Sequence, residues 1–308
     1  MKVPTAILGL GKIGLTYDLD KMGKPIPNQI MTHCRSVSVS DYFAVSYLID
    51  LQIDKVRMGV ELYGGAGFQT VAEAEGPDLP QLVIVSVPTS IHSEILLEIA
   101  EKWKPTAYLI EKPFGGSSYE ARQMKSILNT QGANVYVNYL RRYLPNFNSL
   151  KLSRFFQNRG ELYSVVINGY GTLGNIFSHF LDLLIFIESD LMLGSSTKSK
   201  FSSSTKNLRF LDSDSGILFE FNGVGEAMRE CEMTLFYESL VIVIIANGRN
   251  LEIQDLKGST IAAFNIDNSI FNSYQAIVLK RISDEFGLSK VNTSIAEAIR
   301  IHEFIESI

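Results

Sequence analysis

The sequence holds little sulfur, with two cysteines, Cys34 and Cys231, in 308 residues. Two thiols cannot make a disulfide framework, which suits a reducing cytoplasm, and the protein is expected there. The four histidines (His33, His92, His179, His302) and the cysteines show no i, i+4 or C-x-x-C pairing, so no metal site is expected. No G-x-S-x-G nucleophile elbow occurs. Basic runs are missing too: 28 Lys+Arg stand against 33 Asp+Glu, a net charge of −5. Nucleic-acid binding needs clustered positive charge, so no nucleic-acid partner is expected. Apolar stretches such as Leu240–Ala246 fall far short of the roughly 20 residues that span a bilayer, and no membrane partner is expected. The opening stretch MKVPTAILGLGKIG is broken by glycines and Lys12 and has no small-residue cleavage site, so it does not read as a secretory leader.

What remains is ordinary globular composition, 46% hydrophobic and 20% charged, which excludes disorder, collagen and coiled coil. At roughly 100–200 residues per domain, the length predicts two domains, placed at 1–145 and 146–308. In the first, Val3–Leu8, Phe43–Ile49, Leu82–Val87, Ala107–Ile110 and Ala133–Val137 are continuous apolar runs of the kind covered on both faces in a parallel sheet. Helical patterns alternate with them. Ser90–Trp103 lines up Ile91, Ile95, Leu96, Ile99 and Trp103, and Ser117–Leu128 opens with a serine cap and a glutamate three positions on. This is the sequence form of parallel βαβ units, an α/β fold. After residue 146, strand-like segments follow at 161–169, 208–212, 216–221, 230–237, 240–246 and 250–254, several of them alternating apolar and polar residues, with helices at 175–188, 273–285 and 294–305. An α+β domain on a large, mostly antiparallel open sheet is expected, with a mobile loop at 195–207.

Gly9-Leu10-Gly11-Lys12-Ile13-Gly14 fits G-x-G-x-x-G directly after the first strand. The pattern serves a tight turn, close approach of backbone to a pyrophosphate, and close helix–strand packing, with free N–H groups at the helix start facing the phosphates. Asp50 ends the second predicted strand, where a carboxylate accepts hydrogen bonds from ribose hydroxyls and repels a 2′-phosphate. It lies further past the glycines than the usual 20 or so residues, an excess that matches an apparent insertion at 16–31 bearing Pro25 and Pro27. NAD is therefore the expected cofactor, while Lys55 and Arg57 leave NADP open.

Three more motifs follow on the expected elements: Ser86-Val87-Pro88-Thr89-Ser90-Ile91-His92, Glu111-Lys112-Pro113-Phe114-Gly115, and Asn138-Tyr139-Leu140-Arg141-Arg142. With GLGKIG before them and SHFLDLL (178–184) after, the chain resembles the Gfo/Idh/MocA oxidoreductases over nearly its whole length. The resemblance implies a Rossmann domain followed by a substrate-binding and oligomerisation domain. It also implies hydride transfer between a nicotinamide cofactor and a hydroxyl or keto group of a sugar, sugar nucleotide or cyclitol, in a homodimer or homotetramer built through the second sheet. Carried over residue by residue, it makes Lys112 and His179 the catalytic pair. It puts Gly9, Gly11, Lys12, Ile13, Gly14, Asp50, Val87, Pro88, Thr89, His92 and Glu111 on the cofactor. Lys112, Asn138, Arg142, Tyr170, Asn175 and His179 fall on the substrate side. It also implies a cis Lys112–Pro113 bond. One departure stands out: Asn175 occupies the place where the family often has an aspartate, and an amide can neither raise an imidazole pKa nor take a proton. A catalytically retired NAD-binding sensor or partner protein of the same fold, or a protein that recycles a bound NAD, is therefore kept as an alternative.

Overall fold

The computed structural model describes residues 2–169, 172–191, 193, 199–203, 207–212, 214–223, 230–286 and 294–308. They divide into two compact units, Met1–Leu140 with Asn272–Ile299, and Arg141–Phe271 with Arg300–Ile308.

In the first unit, β1 (Val3–Leu8), α1 (His33–Ser38), β2 (Phe43–Ile49), α2 (Ile53–Tyr63), β3 (Ala66–Phe68), β4 (Leu82–Val85), α3 (His92–Lys102), β5 (Ala107–Ile110), α4 (Ser118–Gln131) and β6 (Asn134–Val137) follow in order. The six strands form one parallel sheet in the order β3-β2-β1-β4-β5-β6. Order reverses between β1 and β4, so the carboxyl ends of these two strands flank the crevice where such sheets bind ligands. The strands are the apolar runs themselves, with Ile7, Leu48, Ile84, Leu109 and Val137 wholly buried. The serine cap is real: Ser117 accepts from the Glu120 amide at 3.2 Å. Short β3, with the sequence AGF, carries no apolar run and escaped the sequence reading.

The second unit runs through α5 (Pro145–Leu152), α6 (Arg154–Gln157), β7 (Leu162–Asn168), α7 (Ser178–Ile187), β8 (Ser199–Ser203), β9 (Asn207–Leu211), β10 (Leu218–Asn222), β11 (Glu232–Tyr237), β12 (Val241–Ile245), β13 (Asn250–Gln254), β14 (Thr260–Asn265) and α8 (Asn268–Phe271). Its eight described strands are ordered β14-β13-β12-β11-β7-β10-β9-β8. Only the β7–β10 pair is parallel. Burial alternates along β10 to β13, with Phe219, Phe221, Leu235, Ile242, Ile244 and Ile253 wholly buried. The period of two marks one covered face and one more open face. The expected loop at 195–207 is corrected in part: 199–203 is a strand paired antiparallel with β9. Backbone ladder bonds do not require apolar side chains, so a polar edge strand leaves no hydrophobic signature. Residues 195–198 and 204–206 lie outside the described residues.

The last two helices are α9 (Tyr274–Glu285) and α10 (Ser294–Glu306). Against an expected single division at 145/146, the chain passes to the second unit at 140/141, and Asn272–Ile299 returns to the first. The reason is packing. Val278, Leu279 and Ile282 of α9 are buried, and Phe286 stands edge-on to Phe43 of β2 at 5.6 Å.

Candidate dinucleotide and substrate site

Backbone geometry builds the first part of the site. Gly9 has φ +89°, and a Cβ there would stand 2.5 Å from the Ser86 carbonyl oxygen. Its amide donates to the Ile49 carbonyl at 2.8 Å, and Ser86 Oγ donates to its carbonyl at 2.7 Å. A Cβ on Gly14 would meet the Gly9 oxygen. A Cβ on Gly11, by contrast, would meet nothing within 4 Å. The loop is thus closed on the protein side and open where a pyrophosphate would approach, as the fingerprint requires. The expected helix after it is corrected: one wide, π-type turn, Lys12–Thr16, follows the loop. The chain then leaves through 17–32. That segment is pinned by Asp18, wholly buried, which accepts from the Met31 and Thr32 amides (both 2.8 Å) and from Thr32 Oγ1 (2.7 Å).

Asp50 sits at the end of β2 and accepts from the Leu10 amide at 2.7 Å and the Gln52 amide at 2.8 Å. It therefore ties strand end to phosphate loop. Gly9, Gly11, Asp50, Val87 and Pro88 line one cleft of about 710 Å³. Sequence reasoning had named these five. It missed Gln52, Gln69, Thr70, Glu94 and Glu98, which share the cleft. Ile91 and Ile95 line it too, so the N-terminal part of the α3 apolar stripe faces the cleft while Leu96 and Ile99 fill the core. Lys55 is the cation in the cleft lining, against the carboxylates of Asp50, Glu94 and Glu98. Lys12, Ile13, Gly14, Thr89, His92 and Glu111 are not among its lining residues.

His92 is wholly buried. Its ring nitrogens lie 3.0 Å from the Val87 carbonyl and 3.2 Å from that of Phe114. It therefore staples the end of β4 to the segment after β5, rather than lining the cleft. The Lys112–Pro113 bond is cis, as the resemblance implies. Beside it, Glu111 Oε1 accepts from Asn138 Nδ2 at 2.6 Å and lies 2.9 Å from His33 Nε2. Burial pushes the Glu111 carboxyl up, but the hydrogen bond and charge of His33, the Asn138 amide and the Lys112 ammonium outweigh it, and the group sits below the ordinary carboxylate range. Asn138 Nδ2 is also 3.4 Å from Gln275 Oε1. Neither His33 nor Gln275 was foreseen as a neighbour of Glu111. The first is 78 positions away, and no local pattern announces such a contact.

In the second unit, His179 lies on α7, a helix with nearly every side chain buried, and is itself 5% exposed. Asn175 lies in a wide turn, 173–177, that precedes the helix, and is exposed. Helix α7 is thus shorter than the expected 175–188. Arg142 was a candidate clamp for a substrate anion. Its guanidinium instead grips Asp182 with two nitrogens, Nε–Oδ2 at 2.9 Å and a second contact from Nη2 to Oδ1. Both side chains are buried or nearly so, and the paired geometry occupies the fork a substrate carboxylate would need. Tyr170 lies outside the described residues. Among those residues no group of three or more His, Cys, Asp or Glu is placed to hold a metal ion, and no helix is long and apolar enough to cross a membrane.

Residues 4–139 match the family model described as the oxidoreductase family, NAD-binding Rossmann fold, of Gfo/Idh/MocA type. The match falls within the first unit and covers less than half of the chain. No curated protein sequence matches the chain. Among solved structures, the chain is similar over 100% of its length to the WlbA dehydrogenase from Bordetella pertussis in complex with NADH and UDP-GlcNAcA (12% identity, TM-score 0.74, 94% of that chain). It is equally similar to KijD10, a 3-ketoreductase from Actinomadura kijaniata in complex with NADP and TDP-benzene (11%, 0.76, 100% of this chain and 97% of that one). A super-repressor mutant of Gal80p from Saccharomyces cerevisiae shares the same fold (14%, 0.73, 100% and 95%). At these identities the likeness shows the fold alone.

Proposed function

We propose that the protein is a dehydrogenase or reductase that uses NAD to interconvert a hydroxyl and a keto group on a sugar, sugar nucleotide or cyclitol. The observation that carries this reading is the first unit itself: an open glycine loop, the Asp50 carboxylate beside it, and Lys112 next to a buried carboxylate network at the carboxyl end of the same sheet. Three carboxylates against the single Lys55 in the cleft favour NAD over its 2′-phosphorylated form. When bound, the nicotinamide takes up or supplies the hydride. Lys112 donates to the substrate oxygen and stabilises its negative charge, and His179 exchanges the proton on that oxygen. The similar WlbA and KijD10 structures, held with nucleotide-linked ligands, make sugar nucleotides the first substrates to try. We place the protein in the cytoplasm. The more open face of β12, bearing Val241, Val243 and Ile245, suits a homodimer or homotetramer.

The test is NADH absorbance with a panel of polyols and sugar nucleotides. Lys112→Ala should lower kcat at least ~100-fold, within the usual weight of one preorganised donor, while NAD+ still binds by calorimetry. A fully active variant removes the mechanism. The uncharged, exposed Asn175 and the similarity to a repressor favour one second reading, an NAD-binding sensor. NAD+ binding with no turnover on any panel member would support it.

A further inference from the structure

Helix α1 follows the segment that separates the phosphate loop from the rest of the Rossmann unit, and its first residue, His33, is wholly buried. His33 Nε2 points at Glu111 Oε1 at 2.9 Å, and the same oxygen takes the Asn138 amide at 2.6 Å. The chain continues to Gln275 on α9, wholly buried as well. His33 Nδ1 is buried without a hydrogen-bond partner. A neutral ring in that setting carries its proton on Nε2, because a proton on Nδ1 would be a buried donor with nothing to meet and would leave the carboxylate facing a lone pair. Two donors from distant elements therefore fix one oxygen of Glu111, whose side chain retains 14% exposure, on the residue directly before Lys112.

We propose that His33 is a positioning residue for the nicotinamide end of the site: its Nε2–H, with the Asn138 amide, holds Glu111 ionised and fixed in one rotamer, so that the carboxylate is preset to accept ribose hydroxyls beside Lys112. This rests on the dinucleotide reading above but not on turnover. The other ionisable groups near the pair do not take over this task. Cys34 on the same helix and Tyr274 on α9 are held protonated by burial and by nearby negative charge. Tyr63, a residue of α2, is pushed up to about 12, chiefly by burial. Asp18 is occupied by its three donors from Met31 and Thr32, and Arg35 Nη1 donates to the Ile26 carbonyl. That leaves Lys112 as the charge acting on Glu111 from beyond the network.

The experiment is calorimetric binding of NAD+ to the full chain between pH 5.5 and pH 8, comparing wild type with His33→Leu and His33→Gln. Without the donor, burial dominates and the Glu111 carboxyl rises. Its ionised form is then lost as pH falls, and binding by His33→Leu should weaken roughly tenfold relative to wild type on going from pH 8 to 5.5, since only the ionised carboxyl accepts the ribose hydroxyls. Glutamine carries an amide N–H where the imidazole has Nε2–H, so His33→Gln should track wild type across the range. A His33→Leu profile parallel to wild type, or a His33→Gln profile no better than leucine's, overturns the proposal. Should the leucine variant fail to fold, imidazole 15N NMR of the wild type decides: the Nε2–H tautomer for neutral His33, perturbed in Glu111→Gln, supports it, and the Nδ1–H tautomer overturns it. The result is independent of Lys112→Ala turnover, so failure here and failure of the oxidoreductase reading are read separately.

Discussion

Asp50 and Asp182 show two uses of the same side chain. Asp50, at the end of a parallel strand, is held by the Leu10 and Gln52 amides. Backbone amides bring no net charge, so the carboxylate keeps its own and presents it to a cleft. Asp182, wholly buried in α7, is met by the Arg142 fork. There the opposite charges cancel, and the pair is consumed in holding α7 to the chain that enters the second unit. The first arrangement leaves a carboxylate facing a cleft; the second cancels one inside the protein. Aspartate alone says nothing about which it will be. What decides is whether the donors around it are neutral backbone groups or a guanidinium.

The largest effect should come from breaking the second arrangement. Asp182→Ala removes the carboxylate that meets a buried guanidinium and should cost about 3–5 kcal/mol in urea unfolding. Adding Arg142→Met should recover most of it, because an apolar pair of similar volume is often tolerated. A loss under ~1 kcal/mol would mean that the ion pair is not the brace that its burial implies. Next come two glycines of one loop. Gly9→Ala forces a Cβ onto the Ser86 carbonyl at positive φ and should lower stability by about 1–3 kcal/mol. Gly11→Ala meets open space and should change the melting temperature little, yet weaken NAD+ at least ~10-fold by filling the space the pyrophosphate needs. Equal effects on both properties at both positions would erase the distinction. Smallest is Asp50→Ala, which should narrow the preference for NAD over NADP by about tenfold, or ~1.4 kcal/mol, as read by paired calorimetric titrations. An unchanged ratio would move the discrimination to Glu94 and Glu98.

Much of this arrangement was legible beforehand. The apolar runs gave β1, β2 and β5 with their observed limits, and Gly9, Gly11, Asp50, Val87 and Pro88 meet in one cleft as expected. Arg142 was not legible as a brace, since one arginine looks like another until its neighbours are known. The edge strand β8 and the short β3 were hidden because their sequences, SKFSS and AGF, carry no apolar run, and ladder hydrogen bonds do not require one. The return of α9 to the first unit was hidden because its apolar stripe fits any surface of matching shape.

The sequence by itself determined whatever depends on residues close in the chain: the parallel sheet, through continuous apolarity over short spans, and the phosphate loop, through glycines that allow one backbone path. Only the tertiary structure decided which distant polar groups share an oxygen. His33, Glu111, Asn138 and Gln275 come from four separate elements. Their meeting is set by how α1 and α9 pack on the sheet, and burial then makes each hydrogen bond among them necessary, since an unmet polar group away from water is costly.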